Sequence, residues 1–145
     1  MQKENMEVLL VEDNPDHAEM VIRSFREHRF ECNIHHVSDG ALALDYLFNK
    51  GDYTDPLQNP RPQVVLLDLR LPKIDGLEVL RTIKTTDDLK RIPVIVLTTS
   101  EAEKDLGKAY DGYANSYLVK PVNFETFVGL MQNIGFYWLV NNHPA

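Results

Sequence analysis

The sequence has little of several features that mark other classes of protein. It contains a single cysteine, Cys32, which excludes an internal disulfide and suits a small buried side chain in a reducing compartment. No apolar run approaches the roughly 20 residues that span a bilayer, and the first residues lack the apolar core of a signal peptide. Basic residues number 15 against 22 acidic ones, and this net charge of −7 would repel a phosphate backbone. We therefore expect a cytoplasmic protein that binds neither a membrane nor nucleic acid.

The length leaves room for one domain. A chain of 145 residues buries enough apolar surface for its own core, and no internal repeat or low-complexity segment divides it. We predict a single domain over residues 1–145. Segment 49–63 holds three prolines and one glycine, which is too many for a helix, so we predict an extended surface loop there.

Short apolar runs alternate with longer amphipathic segments along the chain. Continuously apolar runs indicate strands covered on both faces, as in parallel sheets. The amphipathic segments have helical spacing, and Asn123 is suited to cap the last of them. The predicted strands are 8–11, 32–37, 64–67, 94–97 and 117–119, and the predicted helices are 16–30, 39–49, 77–84, 102–111 and a last one from 124. This alternation predicts an α/β fold with a five-stranded parallel sheet and helices on both faces.

Polar residues that can bind ligands or take part in a reaction follow the apolar runs: Glu12, Asp13, Asp68, Thr98 and Lys120. Ligands of an open parallel sheet bind beyond the carboxyl ends of its strands, so we expect these side chains at one edge. Three carboxylates in one place repel one another unless a cation or a proton lies among them, and their oxygens suit Mg²⁺. An ammonium and a hydroxyl beside them would hold a phosphoryl group. Helix capping is the alternative for each residue alone, but it leaves the set unexplained.

Four segments of the sequence resemble the receiver domains of two-component response regulators. They read VLLVEDN (8–14), LLDLRLP (66–72, with Asp-Gly at 75–76), PVIVLT (93–98) and YLVKP (117–121). The resemblance runs from about residue 6 to 135. It implies a flavodoxin-like, doubly wound sheet in the strand order 2-1-3-4-5.

The resemblance also implies roles for the residues at the strand ends. Asp68 looks like the acceptor of a phosphoryl group from a sensor histidine kinase. Asp13, Asp68 and the backbone carbonyl of Arg70 look like direct Mg²⁺ ligands, with Glu12 acting through water. Such a carboxylate would form an acyl phosphate while the metal and Lys120 offset the growing negative charge.

Further residues resemble the switch of this family. Lys120 would pair with Asp68 and then with the phosphoryl oxygens, and the bond to Pro121 would be cis. Thr98 would close on the phosphoryl group, and Tyr117 would rotate into the space that Thr98 leaves.

Two residues, Arg70 and Ser100, resemble family positions that overhang the phosphoryl group and tune its hydrolysis. We expect the long, charged Arg70 side chain to screen the attacking water. The alternative is an exposed basic residue without kinetic consequence.

Four of the five histidines are candidates for a metal site, and they offer none of their own. His35 and His36 are adjacent and would point to opposite faces of a strand. His17 and His28 are eleven residues apart on one predicted helix. We interpret all four as solvated or edge residues.

The end of the sequence is unusually aromatic. Too few residues follow Lys120 for an output domain, so we expect the protein to act by docking. Phe136, Tyr137, Trp138 and Leu139 favour a protein–protein interface at residues 135–145, although a helix that simply packs on its own domain is the alternative. A stand-alone receiver with this tail resembles the phytochrome-associated response regulators. That resemblance implies a phytochrome kinase and a homodimer through the fourth helix, fifth strand, fifth helix and tail.

Three other functions are alternatives to this interpretation. A Mg²⁺-dependent phosphatase of the haloacid-dehalogenase type would need an acid two residues after Asp68, where this chain has Arg70. A flavodoxin-like cofactor binder would need a phosphate loop after the first strand. A pseudo-receiver would work without phosphorylation. We expect a phosphoacceptor with self-catalysed phosphoryl transfer and autodephosphorylation, and no other enzyme activity.

Overall fold

Five parallel strands form one sheet in the order β2-β1-β3-β4-β5, as the resemblance implies. A computed structural model describes residues 6–28, 31–98 and 116–134. The strands are β1 (Met6–Val11), β2 (Cys32–Val37), β3 (Val64–Asp68), β4 (Val94–Thr98) and β5 (Ser116–Val119). Each neighbouring pair is parallel, so all the carboxyl ends lie along one edge.

The described helices connect these strands and begin at capping side chains. They are α1 (Pro15–Glu27), α2 (Gly40–Leu47), α3 (Gly76–Thr85) and the last helix, α4 (Phe124–Ile134), with one 3₁₀ turn at Gly51–Tyr53. Helix α1 ends at Glu27, before the predicted residue 30, because the backbone of His28 leaves the helical conformation and its ring Nδ1 lies 2.8 Å from the Ser24 carbonyl oxygen. The helix predicted at 102–111 lies outside the described residues. Among the described helices, none is long and apolar enough to cross a membrane.

Two apolar layers cover the two faces of the sheet. Leu9 and Val11 of β1 pack with α2 and α3, whereas Val8 and Leu10 pack with α1 and α4. Side chains of a strand alternate between its faces, so a continuously apolar strand supplies both layers. All four side chains are fully buried. This packing fixes where the carboxyl end of each strand lies at the edge of the sheet.

The segment at 49–63 folds back on α2. The Asn49 side-chain amide donates to the Tyr53 carbonyl at 2.9 Å, and the Tyr46 hydroxyl donates to the Pro60 carbonyl at 2.8 Å. Most of its residues are exposed. The segment is therefore a surface loop that is hydrogen-bonded to the domain and includes a 3₁₀ turn.

Candidate functional site

The carboxyl edge of the sheet brings together the polar residues that follow the strands. Asp68 and Thr98 are the last residues of β3 and β4, which are adjacent in the sheet. Glu12 follows β1, and its backbone N–H donates to the Val37 carbonyl. Lys120 follows β5, and its backbone N–H donates to the Thr98 carbonyl at 2.7 Å. Backbone pairing thus sets the positions from which these side chains meet.

Helix capping does not account for the strand-end carboxylates. The caps of α1, α2 and α3 are Asn14, Asp39 and Asp75, whose side chains accept backbone N–H groups of the first turns. Asn123 accepts the Thr126 N–H at 3.0 Å and caps α4, as its sequence position predicts. The carboxylates after β1 and at the end of β3 therefore have another role.

Three carboxylates form a cluster at this edge. Glu12, Asp13 and Asp68 each place an oxygen within 4.8 Å of the others. Glu12 is 0% exposed and Asp68 is buried, whereas Asp13 faces solvent. Burial, first, and the neighbouring Asp68 raise the pKa of Glu12 while Lys120 opposes them, and the net pKa is about 7. Negative charge confined among hard oxygen donors fits a divalent cation such as Mg²⁺.

Lys120 supplies the positive charge of the site. Its side chain is 11% exposed, and its Nζ lies 2.5 Å from Glu12 Oε1 and 3.0 Å from Asp68 Oδ2. Burial lowers the pKa of Lys120, but the hydrogen bonds with the two carboxylates outweigh this and raise it. The ammonium is therefore charged across the physiological range. The Lys120–Pro121 peptide bond is cis.

Asp68 is held in one orientation from both sides. Its Oδ1 accepts the backbone N–H of Arg70 at 2.9 Å, and its Oδ2 accepts from Lys120. Behind it, Gly76 begins α3 so close to the strand that a Cβ there would lie 2.4 Å from the Asp68 carbonyl oxygen. The carboxylate therefore projects from a tightly packed turn.

The structure describes some of the remaining predicted residues and not others. Thr98 is fully buried at the end of β4, and half-buried Tyr117 on β5 packs against the layer shared with α2 and α3. Arg70, two residues after the acceptor, is exposed. Ser100 and the residues predicted as an interface, 136–139, lie outside the described residues.

His17 contacts the site from α1, although its side chain is 40% exposed, as the interpretation as a solvated residue implies. Its Nδ1 lies 3.2 Å from Lys120 Nζ and 3.8 Å from Glu12 Oε1. The sequence did contain a signal, since His17 precedes Val21 and Phe25 at intervals of four and those two are buried. Helical spacing therefore places the imidazole at the border of the buried face of α1.

The other described histidines have partners elsewhere. On the edge strand β2, His35 lies 2.7 Å from a Glu7 carboxylate oxygen, and His36 donates to the Glu12 carbonyl. His28 stacks on Phe124 at 4.4 Å between ring centroids. These contacts stabilise the domain and form no metal site.

The buried carboxylate of Glu12 predicts a pH dependence of stability. In the unfolded chain this group ionises near 4.5, and in the folded metal-free chain near 7. Between those values the folded state holds a proton that the unfolded state has released, so stability falls as the pH rises through this window. Bound Mg²⁺ should offset this loss of stability at pH values above the window. Thermal unfolding of wild type and Glu12→Gln, with and without Mg²⁺, measures this; equal pH profiles for the two proteins would contradict it.

Two curated relatives resemble the chain over most of its length. The Probable methanogenesis regulatory protein FilR2 of Methanothrix harundinacea is 47% identical over 133 residues, covering 91% of this chain and 83% of the relative. The Response regulator Rcp1 of Synechocystis sp. is 40% identical over 132 residues, covering 91% and 88%.

Solved structures and a family match give the same assignment. The bacteriophytochrome response regulator AtBRR is similar with a TM-score of 0.86 and 43% identity, covering 94% of this chain and 96% of that one. The Mn²⁺-bound form of Rcp1 has a TM-score of 0.72 and 39% identity, covering 97% and 99%. The phosphorylated cyanobacterial phytochrome response regulator RcpA has a TM-score of 0.75 and 36% identity, covering 98% of this chain and 100% of that one. Residues 8–132 match the response regulator receiver domain. The chain therefore belongs to the response regulator receiver domain family and is related to phytochrome response regulators.

Proposed function

We propose that this protein accepts a phosphoryl group from a sensor histidine kinase onto Asp68 in a Mg²⁺-dependent reaction. The observation that carries the proposal is the juxtaposition of three carboxylates with Lys120, whose Nζ lies 3.0 Å from the Asp68 carboxylate. A nucleophile, a cation site and a fixed ammonium are the groups that phosphoryl transfer to a carboxylate requires.

In the proposed reaction an oxygen of Asp68 attacks the phosphorus of a phosphohistidine. A P–O bond forms and the P–N bond breaks, so that the leaving imidazole keeps the electron pair and takes a proton from solvent. The hydrogen bonds from the Arg70 N–H and Lys120 hold the carboxylate for this attack. As negative charge gathers on the phosphoryl oxygens, Lys120 follows them and the Thr98 hydroxyl donates to one of them.

The cation site would be filled by Mg²⁺. Asp13, Asp68 and the Arg70 carbonyl would hold the ion directly, with Glu12 acting through water. When bound, the ion neutralises charge on the carboxylates and on the phosphoryl oxygens. The Mn²⁺-bound structure of Rcp1, 39% identical to this chain, supports a divalent cation in a related protein.

The test uses a small phosphodonor in place of the kinase. Purified protein is incubated with acetyl phosphate and Mg²⁺, and the intact mass and the sedimentation velocity are followed beside Asp68→Asn. Gain of one phosphoryl group on wild type only supports the proposal. No gain on either protein would favour a pseudo-receiver. Turnover of a phosphate ester would instead favour a phosphatase, and we propose that the protein has no such activity.

Arg70 is proposed to lengthen the life of the phosphorylated form. Arg70 is exposed, and its backbone N–H donates to the acceptor carboxylate, so its long side chain can reach the attacking water and screen it. Arg70→Asn should therefore lose its phosphoryl group several-fold faster, measured as the decay of phosphorylated protein after removal of the donor. Arg91→Asn is a matched control, because exposed Arg91 precedes β4 at the opposite edge. An unchanged decay rate in Arg70→Asn contradicts the prediction.

The kinase partner is proposed to be a phytochrome. AtBRR and RcpA are described as phytochrome response regulators, and they align with 94% and 98% of this chain. FilR2, at 47% identity, is named for methanogenesis instead. The test compares phosphotransfer from a purified bacteriophytochrome kinase with phosphotransfer from an unrelated histidine kinase. Faster transfer from the bacteriophytochrome kinase supports the proposal, and equal or slower transfer contradicts it.

We also propose a homodimer through the fourth helix of the family fold, β5, α4 and the tail. β5 is an edge strand of the sheet, and an edge strand presents backbone groups with which another chain can pair. Truncation after Asn133 removes the residues of the tail, 136–139, and should convert a dimer into a monomer in sedimentation velocity. A truncated chain that is still a dimer, while retaining the phosphorylation of wild type, would contradict this.

A further inference from the structure

We propose that His17 is a positioning residue for Lys120 in the phosphoryl-transfer reaction. This inference rests on the proposed function. It concerns a residue of α1, whereas the other partners of Lys120 in the site follow or end strands of the sheet. The carrying observation is the 3.2 Å approach of His17 Nδ1 to Lys120 Nζ.

The chemistry of the contact determines which atom donates. A lysine ammonium has three N–H donors and no acceptor. His17 Nδ1 must therefore accept, and the ring proton lies on Nε2. With Glu12 Oε1 at 2.5 Å and Asp68 Oδ2 at 3.0 Å, three acceptor atoms surround Nζ. His17 supplies the third acceptor of a side chain that is 11% exposed.

His17 differs from the other two acceptors in what happens to it during the reaction. Asp68 becomes part of an acyl phosphate, and Glu12 belongs to the proposed cation site. Their oxygens therefore acquire other partners as the reaction proceeds. The imidazole takes no part in either event, so Nδ1 stays an acceptor beside Lys120 throughout.

The backbone makes His17 a fixed support. It lies in the first turn of α1, where its N–H donates to the Asn14 side chain at 3.2 Å. Four and eight residues further, Val21 and Phe25 are buried in the core. The face of the helix that carries the imidazole is thus set by packing, and the backbone contact does not depend on the side chain at position 17.

Two variants distinguish the effect of the hydrogen bond from the effect of side-chain size. His17→Leu removes the acceptor and keeps an apolar side chain, whereas His17→Asn offers a carbonyl oxygen close to the place of Nδ1. Rates of phosphorylation by acetyl phosphate at saturating Mg²⁺, and rates of dephosphorylation, are measured for both. We expect both rates to fall about tenfold in His17→Leu, which is the loss of about one hydrogen bond to a charged group at the weak end of its range, and to return within about twofold of wild type in His17→Asn.

Controls distinguish this inference from the proposal on which it rests. Thermal unfolding identifies any variant that is not folded, and rates are compared only between folded proteins. If wild type is phosphorylated and His17→Leu has the same rates, the role of His17 is overturned and the acceptor function stays intact. His17→Asn as slow as His17→Leu would overturn it too, because bulk or helix stability would then be the cause. Wild type that takes up no phosphoryl group would overturn the proposed function itself.

Discussion

Asp68→Asn is expected to abolish phosphorylation by acetyl phosphate, with a loss of at least about a hundredfold, since an amide oxygen is a poor nucleophile. Asn has nearly the shape of Asp and can still accept the Arg70 N–H, which donates to Asp68 Oδ1 at 2.9 Å. The substitution also removes one negative charge from a cluster of three carboxylates. The fold should therefore persist while the nucleophile is lost. Intact-protein mass after incubation with acetyl phosphate and Mg²⁺ measures the effect.

Asp75→Asn is the matched control for this prediction. Asp75 is a nearby carboxylate that caps α3 by accepting the Glu78 N–H at 2.9 Å, and asparagine caps helices about as well as aspartate. It should be phosphorylated like wild type. Labelling of Asp68→Asn at the wild-type rate would show that the phosphoryl group goes to another residue.

The sequence predicts the sheet and its active edge well, because both depend on local patterns. A continuously apolar run such as 64–67 has to be covered on both faces, and the polar residue that ends it has to lie at the sheet edge. Asn123 could be predicted as a cap because its role depends only on the first turn that follows. The strand order came from the resemblance, since periodicity does not say which strands are neighbours.

Features that depend on packing between distant segments were harder to predict. The contact between His17 and Lys120 joins residues 103 positions apart, and only the inward face of α1 hinted at it. The predicted end of α1 lies too late because the apolar pattern continues beyond His28, whose backbone is not helical. The loop at 49–63 owes its shape to hydrogen bonds with Asn49 and Tyr46, which composition does not reveal.

The turn between β3 and α3 depends on a close backbone contact that the sequence alone does not show. A Cβ placed on Gly40, the first residue of α2, would lie 1.9 Å from the carbonyl oxygen of Ile74. That atom is backbone, so no side-chain rotation can relieve the clash. Lys73, in the same turn, has a positive φ of 67° and pairs with Asp39 at 3.5 Å. α2 therefore supports the turn that follows the acceptor strand.

Gly40→Ala is accordingly expected to destabilise the protein by about 3 kcal/mol, since overpacking against backbone is costly. This corresponds to a fall in Tm of roughly 10 °C. Gly129→Ala is the matched control, because a Cβ there meets nothing within 4 Å and alanine inside a helix should stabilise by about 0.5–1 kcal/mol. Thermal and urea unfolding of both variants measure the difference. If Gly40→Ala were as stable as Gly129→Ala, α2 and the turn after β3 could separate without cost, and the support for the acceptor would have to come from elsewhere.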